Sequence, residues 1–347
     1  MTRNPFLAAS TVIVVAVLAS SGCSLFDPAE LGEHDDYHAE FELLWGAFDL
    51  GYAGFGFTDA DWDLLYETYS ARIDTVASQE GFILLMHEML SPLQDPDVLI
   101  YSPYGEVDST FSPGILQNCD STVLMSYLEP AGIEWFIPGV WGYSIFQDSI
   151  PYVFILNWTS GMYAQDITDM MELYPDAPAL IIDQRLARGG SQTQLRQVGM
   201  RFNDQLRVGF YTVGRDGPEH DDFCEPRAYI VHSLPSSFEG PVAILIGEAN
   251  SGAAQRFAAM ADEIPSVTLM GDTTLTWADF HSGITSLPGN WSYTVPDSTV
   301  LLADSTTWLS GAGVSPDIYV EADEDDFSQG IDPVLEFAVN WAASRGR

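Results

Sequence analysis

Ser251 stands between a buried-looking apolar run, Val242–Ile246, and a stretch of helical character from Ala253 to Asp262. A serine hydroxyl in such a place can attack a carbonyl if a base takes its proton and backbone N–H groups hold the charge that develops on oxygen. The pair Gly189-Gly190 suits the second task, because a backbone N–H can approach a substrate carbonyl only where no side chain intervenes. The helix start near Ala253 offers a further N–H. His87 and His281 are candidate bases. Each feature also has a plainer assignment: Ser251 as a helix cap, the glycines as a tight turn, His87 as a core-facing residue of an amphipathic helix. All 12 basic residues are arginine. The absence of lysine excludes Schiff-base chemistry, Ser-Lys dyads and the phosphate-binding lysine of a P-loop.

Other constellations are weaker. His34 and His38 stand four apart, as in a zinc protease motif, but Asp35 occupies the place of the required Glu, so solvated histidines are expected. Asp59, Asp61 and Asp63 imitate the first ligands of a calcium loop, yet Leu64 and Ser70 stand where that loop needs Gly and Glu. No metal site and no cofactor is expected. Asn157 and Asn290 head glycosylation sequons that carry little weight.

The elements that must position Ser251 read as an α/β layer. Helices are expected over 36–50, after a Thr58 cap, and over 79–89, with a helical segment spanning 36–97. Residues 98–158 have mixed strand character. Beyond them, strand and helix alternate: a strand at Ala179–Ile182 enters the turn Asp183–Gly190, a helix follows at Gln192–Asn203, and buried strands recur at Val242–Ile246 and Val267–Leu269. That alternation implies parallel strands. Late strands fall within 294–320, the acidic run Asp323–Asp326 reads as a solvated loop, and a closing helix spans 332–343.

The chain has 347 residues, 46% of them hydrophobic, enough for a sizeable core. A net charge of -38 argues against nucleic acid and against electrostatic docking on anionic lipid. Residues 1–22 have a signal-peptide layout: Arg3, an apolar centre from Phe6 to Ala19, then small residues. Cys23 follows directly, as in a bacterial lipoprotein box, although Ser20 stands where Leu is usual. The expectation is a lipidated Cys23, a tether over 23–35 and an extracytoplasmic domain over 98–345 behind its helical segment; an uncleaved membrane anchor is the alternative. Cys119 and Cys224 are the only other cysteines, and an oxidising compartment makes a disulfide between them an expectation, beside that of two separate thiols.

Five stretches, in order, resemble the tail-specific or C-terminal processing serine peptidases, in the branch that includes the tricorn core. They are the helix with Trp62-Asp63 and Tyr66; Leu93-Gln-Asp95-Pro; Leu180-Ile-Ile-Asp183-Gln-Arg185 with Gly189-Gly190; Gly240–Ile246 with Phe257-Ala-Ala-Met and Gly271-Asp-Thr-Thr; and Gly313-Val-Ser-Pro316-Asp317. The resemblance implies a crotonase-like α/β core, a peptide or unfolded segment as ligand, and no PDZ insert, since only about 55 residues separate Asp97 from Tyr152.

It also locates departures. Gly252 stands where the family has its nucleophilic serine, Gln255 where it has an acid, Asp97 where it has histidine, and Ser310 where the tricorn-like branch has Glu. Glycine has no nucleophilic atom, and an aspartate is a weak base for a hydroxyl. Two readings follow: a degenerate peptidase that binds peptides, or a working serine endopeptidase with its nucleophile shifted to Ser251.

Overall fold

The structure is a computed structural model, and it describes residues 37–102, 107–158, 164–234, 238–277, 280–287 and 290–346. The signal segment, Cys23, the tether and His34 lie outside the described residues.

The helices are α1 (Tyr37–Gly51), α2 (Trp62–Ser70), α3 (Gln79–Leu90), α4 (Ser121–Ala131), α5 (Ala164–Leu173), α6 (Gln192–Gly199), α7 (Ala253–Asp262), α8 (Glu324–Ser328) and α9 (Pro333–Ala343). The strands are β1 (Leu99–Tyr101), β2 (Val107–Ser109), β3 (Glu134–Ile137), β4 (Trp141–Phe146), β5 (Ile150–Ile155), β6 (Asn157–Trp158), β7 (Leu180–Asp183), β8 (Arg188–Gly190), β9 (Arg207–Gly214), β10 (Arg227–Val231), β11 (Val242–Ile246), β12 (Val267–Gly271), β13 (Phe280–Ser286), β14 (Ser292–Leu302) and β15 (Ile318–Tyr319).

Strands β5, β7 and β11 are buried at every position, as strands covered on both faces must be. They lie at the centre of a seven-stranded sheet of order β15-β12-β11-β7-β5-β4-β3. The five strands from β15 to β5 are parallel, with Val242 beside both Leu180 and Val267, and β4 and β3 run antiparallel. The strand period of two sorts β11 between two cores. Val242, Ile244 and Ile246 face α7, α6 and α5 through Phe257, Leu195 and Ile167. Ala243 and Leu245 face α9 and α4 through Leu335 and Leu128.

A second, antiparallel sheet runs β10-β9-β14-β1-β2, with β13 also on β14. Its Phe210 and Val300 join the core around α7, so every residue of α7 from Ala253 to Ala261 is buried. Helices α1–α3 pack on Ile100, Tyr293 and Val295 of this sheet, through Phe48, Leu44 and Met89.

Several expectations are corrected. The 98–158 stretch contains α4, whose N-terminus is fixed by the Asp120 carboxylate accepting from Thr122 and Val123 N–H. Asp61, not Thr58, caps α2 by accepting from Leu64 N–H. The acidic run is no loop: Asp323 and Asp326 form a capping box that starts α8. Helix α6 ends at Gly199, short of Asn203, which is buried and bonded instead to carbonyls of residues 205, 231 and 232. The disulfide expectation fails, since both cysteines are free: Cys119 is packed in the α4–α9 core, while Cys224 lies against β9 and accepts from Gly214 N–H.

Candidate functional site

Strand β11 leaves the sheet at Ile246, and the chain turns through Gly247–Asn250 into α7. Asn250 fixes that turn. Its buried amide donates to the carbonyls of Gln184 and Ala187, and its Oδ1 accepts from Gly247 N–H at 3.1 Å. The loop before α7 is thereby tied to the loop after β7. Sequence reasoning missed Asn250; its signal was a polar residue wedged between a fully apolar strand and an apolar helix.

Gly252 caps α7 with φ 56° and ψ −119°, a conformation L side chains rarely adopt. A Cβ there would stand 3.1 Å from Gly189 Cα. The neighbouring Ser251 bridges Arg188 in parallel fashion, and its carbonyl accepts from Gly189 N–H at 3.1 Å and Ala254 N–H at 3.2 Å. The expectation that Gly189 offers its N–H to a ligand is therefore corrected: that donor is occupied by Ser251. Gly190, with φ 115°, is glycine because a Cβ would collide with the Trp158 carbonyl on β6. Ala253 is the first residue of α7, where helix geometry consumes no N–H. The Ser251 hydroxyl makes no hydrogen bond among the described residues.

Gln255 is fully buried and donates through Nε2 to the Leu275 carbonyl, while Leu275 N–H donates to the Asn250 carbonyl at 3.1 Å. An amide can make that donation and an ionised carboxylate cannot. Gly311, next to Ser310, donates its N–H to the Thr276 carbonyl of the same loop, and Ser310 Oγ lies 3.0 Å from Thr299 Oγ1 on β14. Thus Gln255 bonds the loop 273–276 directly, and Asn250 and Gly311, the chain neighbours of Ser251 and Ser310, bond it through their backbones. Asp97 lies in the turn just before β1 of the antiparallel sheet. Its N–H donates to Asp95 Oδ1 at 2.8 Å and its carbonyl accepts from Thr294 Oγ1 at 2.8 Å.

The candidate base His87 is engaged elsewhere. His87, on α3, has Nδ1 3.4 Å from Ser91 Oγ and Nε2 3.8 Å from Asp108 Oδ2. Ser91 Oγ itself donates to the His87 carbonyl at 2.7 Å, an ordinary bond within a helix end. His38 pairs with Asp74 at 2.9 Å and His220 with Asp49 at 3.0 Å. His281 lies on β13, its backbone opposite Pro296.

The Asp183-Gln184-Arg185 stretch is scaffold. Arg185 is buried between two carboxylates, Asp183 at 2.7 Å and Asp332 at 2.8 Å, and also donates to the Asn118 carbonyl. Burial first, then Asp183, holds the Tyr152 phenol well above its usual range, so it stays a donor to Asp183 at 2.6 Å. Gln184 takes its own part: Oε1 accepts from Trp158 Nε1 and Nε2 donates to the Ala254 carbonyl. Gly313 needs φ 69° because its position faces the Thr274 carbonyl, and Asp317 ties β15 to β12 by accepting from Leu269 N–H at 2.8 Å.

Two family models match the chain: peptidase family S41 over residues 149–320, and the tricorn protease C1 domain over residues 33–91. The chain belongs to the tail-specific S41 peptidase family. No curated protein matches it. Among solved structures, a presumed peptidase from Parabacteroides merdae superposes with a TM-score of 0.80 at 24% identity, covering 88% of this chain and 96% of that one. A lipoprotein from Streptococcus agalactiae gives a TM-score of 0.57 at 11% identity over 91% and 98% of the two chains. The photosystem II D1 C-terminal processing protease gives 0.54 at 14% identity over 82% and 93%. At these identities the likeness is one of fold. The S41 match spans the Gly189-Gly190 turn, the head of α7 and the Asp317 strand, and the C1 match spans α1–α3.

Proposed function

We propose that this S41 family protein is a lipid-anchored, extracytoplasmic peptide-binding protein that has lost the family's hydrolytic centre. The observation that carries the reading is Gly252. It heads α7 with a positive φ, against the Gly189 backbone, and supplies no hydroxyl. The adjacent Ser251 hydroxyl makes no hydrogen bond to a histidine among the described residues, and the described histidines with ring partners are engaged with Asp74, Asp108 and Asp49. Gln255 replaces an ionisable group by an amide that bonds a backbone carbonyl. A serine without a base attacks slowly at neutral pH.

Five parallel strands with α7 entered directly from β11 support a crotonase-like core. The described residues between 98 and 150 form two short strands, α4 and the β3–β4 pair, which supports the absence of a PDZ insert. The Cys23 layout, together with the fold shared with a streptococcal lipoprotein, supports the anchor and the outer compartment. No described helix is long and apolar enough to cross a membrane.

The test is binding without turnover. Extended fluorescent peptides should raise anisotropy with the purified domain, and remain intact on prolonged incubation. Absence of binding across a varied peptide set would contradict the reading.

A further inference from the structure

We infer that a cavity beside the Gly189-Gly190 turn is a carboxylate-binding pocket, so that the bound peptides are acidic ones. The cavity measures ≈ 590 Å³ and lies between α6, β9, β10 and β14. Its wall begins at Gln192, two residues beyond Gly190, and so continues the candidate site along the chain. The inference rests on the peptide-binding reading and adds the chemistry of the peptide.

Arg196 and Arg227 both line the cavity. The chain carries 50 acidic residues against 12 arginines, so carboxylate partners are abundant. Yet the arginine ion pairs among the described residues engage only Arg72, Arg185 and Arg207. Two arginines lining one hollow, neither in an ion pair among the described residues, give it a local charge opposite to that of the protein as a whole. Arg196 is held in place without being neutralised: its guanidinium lies 4.3 Å from the centre of the Tyr229 ring, and the Tyr229 hydroxyl donates to the Gln192 carbonyl. A guanidinium stacked by its face keeps its N–H edge for a planar anion, and carboxylate matches that edge in bidentate fashion. One carboxylate, Asp297, also lines the pocket, leaving two positive charges against one negative. Thr212 and Ser298 supply hydroxyls to the same wall.

The carboxylate can come from a Glu or Asp side chain or from a peptide C-terminus, and four octapeptides separate the sources: one with a penultimate Glu and a free C-terminus, its Glu→Gln form, its C-terminal amide, and a form with both changes. Affinities are measured by calorimetry on the soluble domain, beside Arg196→Gln and Arg227→Gln. Both residues are exposed, so the folds should survive, which unchanged melting temperatures confirm. Each substitution should weaken the preferred acidic peptide about tenfold, the scale of one charge-assisted pair, and leave the doubly neutral peptide within about twofold. Equal affinity for acidic and neutral peptides, or equal losses for both in the variants, would overturn the inference while leaving peptide binding intact. Propane-1,2,3-tricarboxylate, followed by amide chemical shifts of α6, tests the pocket alone. Arginine-dependent shifts without any peptide binding would keep the pocket and defeat the peptide reading; no shifts would count against the pocket.

Discussion

The side chain that Gly252 lacks would begin 3.1 Å from Gly189 Cα, on the face where the turn after β7 meets the head of α7. That approach is closer than a side chain normally tolerates, and the residue's positive φ adds backbone strain. Gly252→Ser is therefore expected to lower stability by about 1–3 kcal/mol, the usual cost of a non-glycine residue in such a region. Urea unfolding would measure it. No loss at all would mean that the turn yields freely.

Arg185 is a buried cation held by two buried carboxylates. Its replacement by Met leaves Asp183 and Asp332 facing each other without a cation. Removing one partner of a buried pair costs about 3–5 kcal/mol, so Arg185→Met should unfold at much lower denaturant or fail to accumulate. A variant as stable as the parent would show that the two carboxylates are protonated or hydrated.

The cysteines give a chemical check. Native protein treated with a thiol reagent should label Cys224, which is partly exposed, and Cys119 only after unfolding. Burial pushes the Cys119 thiol up, which slows it further. A mass two units lower that is restored by reduction would contradict free thiols, on the principle that one disulfide removes about two hydrogens.

How much of this was legible in the chain depends on how local each signal is. The apolar runs Leu180–Ile182 in β7 and Val242–Ile246 in β11 announce parallel neighbours, and their register, Leu180 beside Val242, bears that out. The bounds of α7 are visible because Gly252 precedes an unbroken run of helix formers. By contrast, α4 was hidden by Pro130 near its end and by a short, weakly periodic sequence. The Asn250 clamp and the Ser251–Gly189 bond join residues more than 60 positions apart, and no local pattern reports such pairings. The two arginines of the α6–β10 cavity were silent for the same reason: that both line one hollow holding a single carboxylate, Asp297, is a fact of space.

Asp262 supplies a pH signature. It is the last residue of α7, and its carboxyl is pushed up to about 6, by burial first and then by Asp317 and Glu263. An acid whose folded pKa lies above its unfolded value contributes stability that is complete below about pH 4 and lost as pH rises through about 6. Asp262→Asn should therefore raise the melting temperature at pH 7.5 and leave it unchanged at pH 4. Since the carboxyl is only partly withdrawn from water at the helix end, screening limits the gain to about 1 kcal/mol or less. An equal gain at both pH values would point to the helix end rather than to titration.

Lipidation is tested on the full chain. Cys23→Ser should abolish membrane fractionation and alter precursor migration; unchanged behaviour of that variant would count against the anchor.

The central claim is tested most directly by peptide hydrolysis with the unmodified domain beside Ser251→Ala. Replacing a true nucleophile costs several powers of ten, on the order of 10⁴ to 10⁶, so a coarse assay suffices. The degenerate site predicts the same negligible rate for both proteins. Turnover by the unmodified domain that Ser251→Ala abolishes would contradict it and make Ser251 the nucleophile.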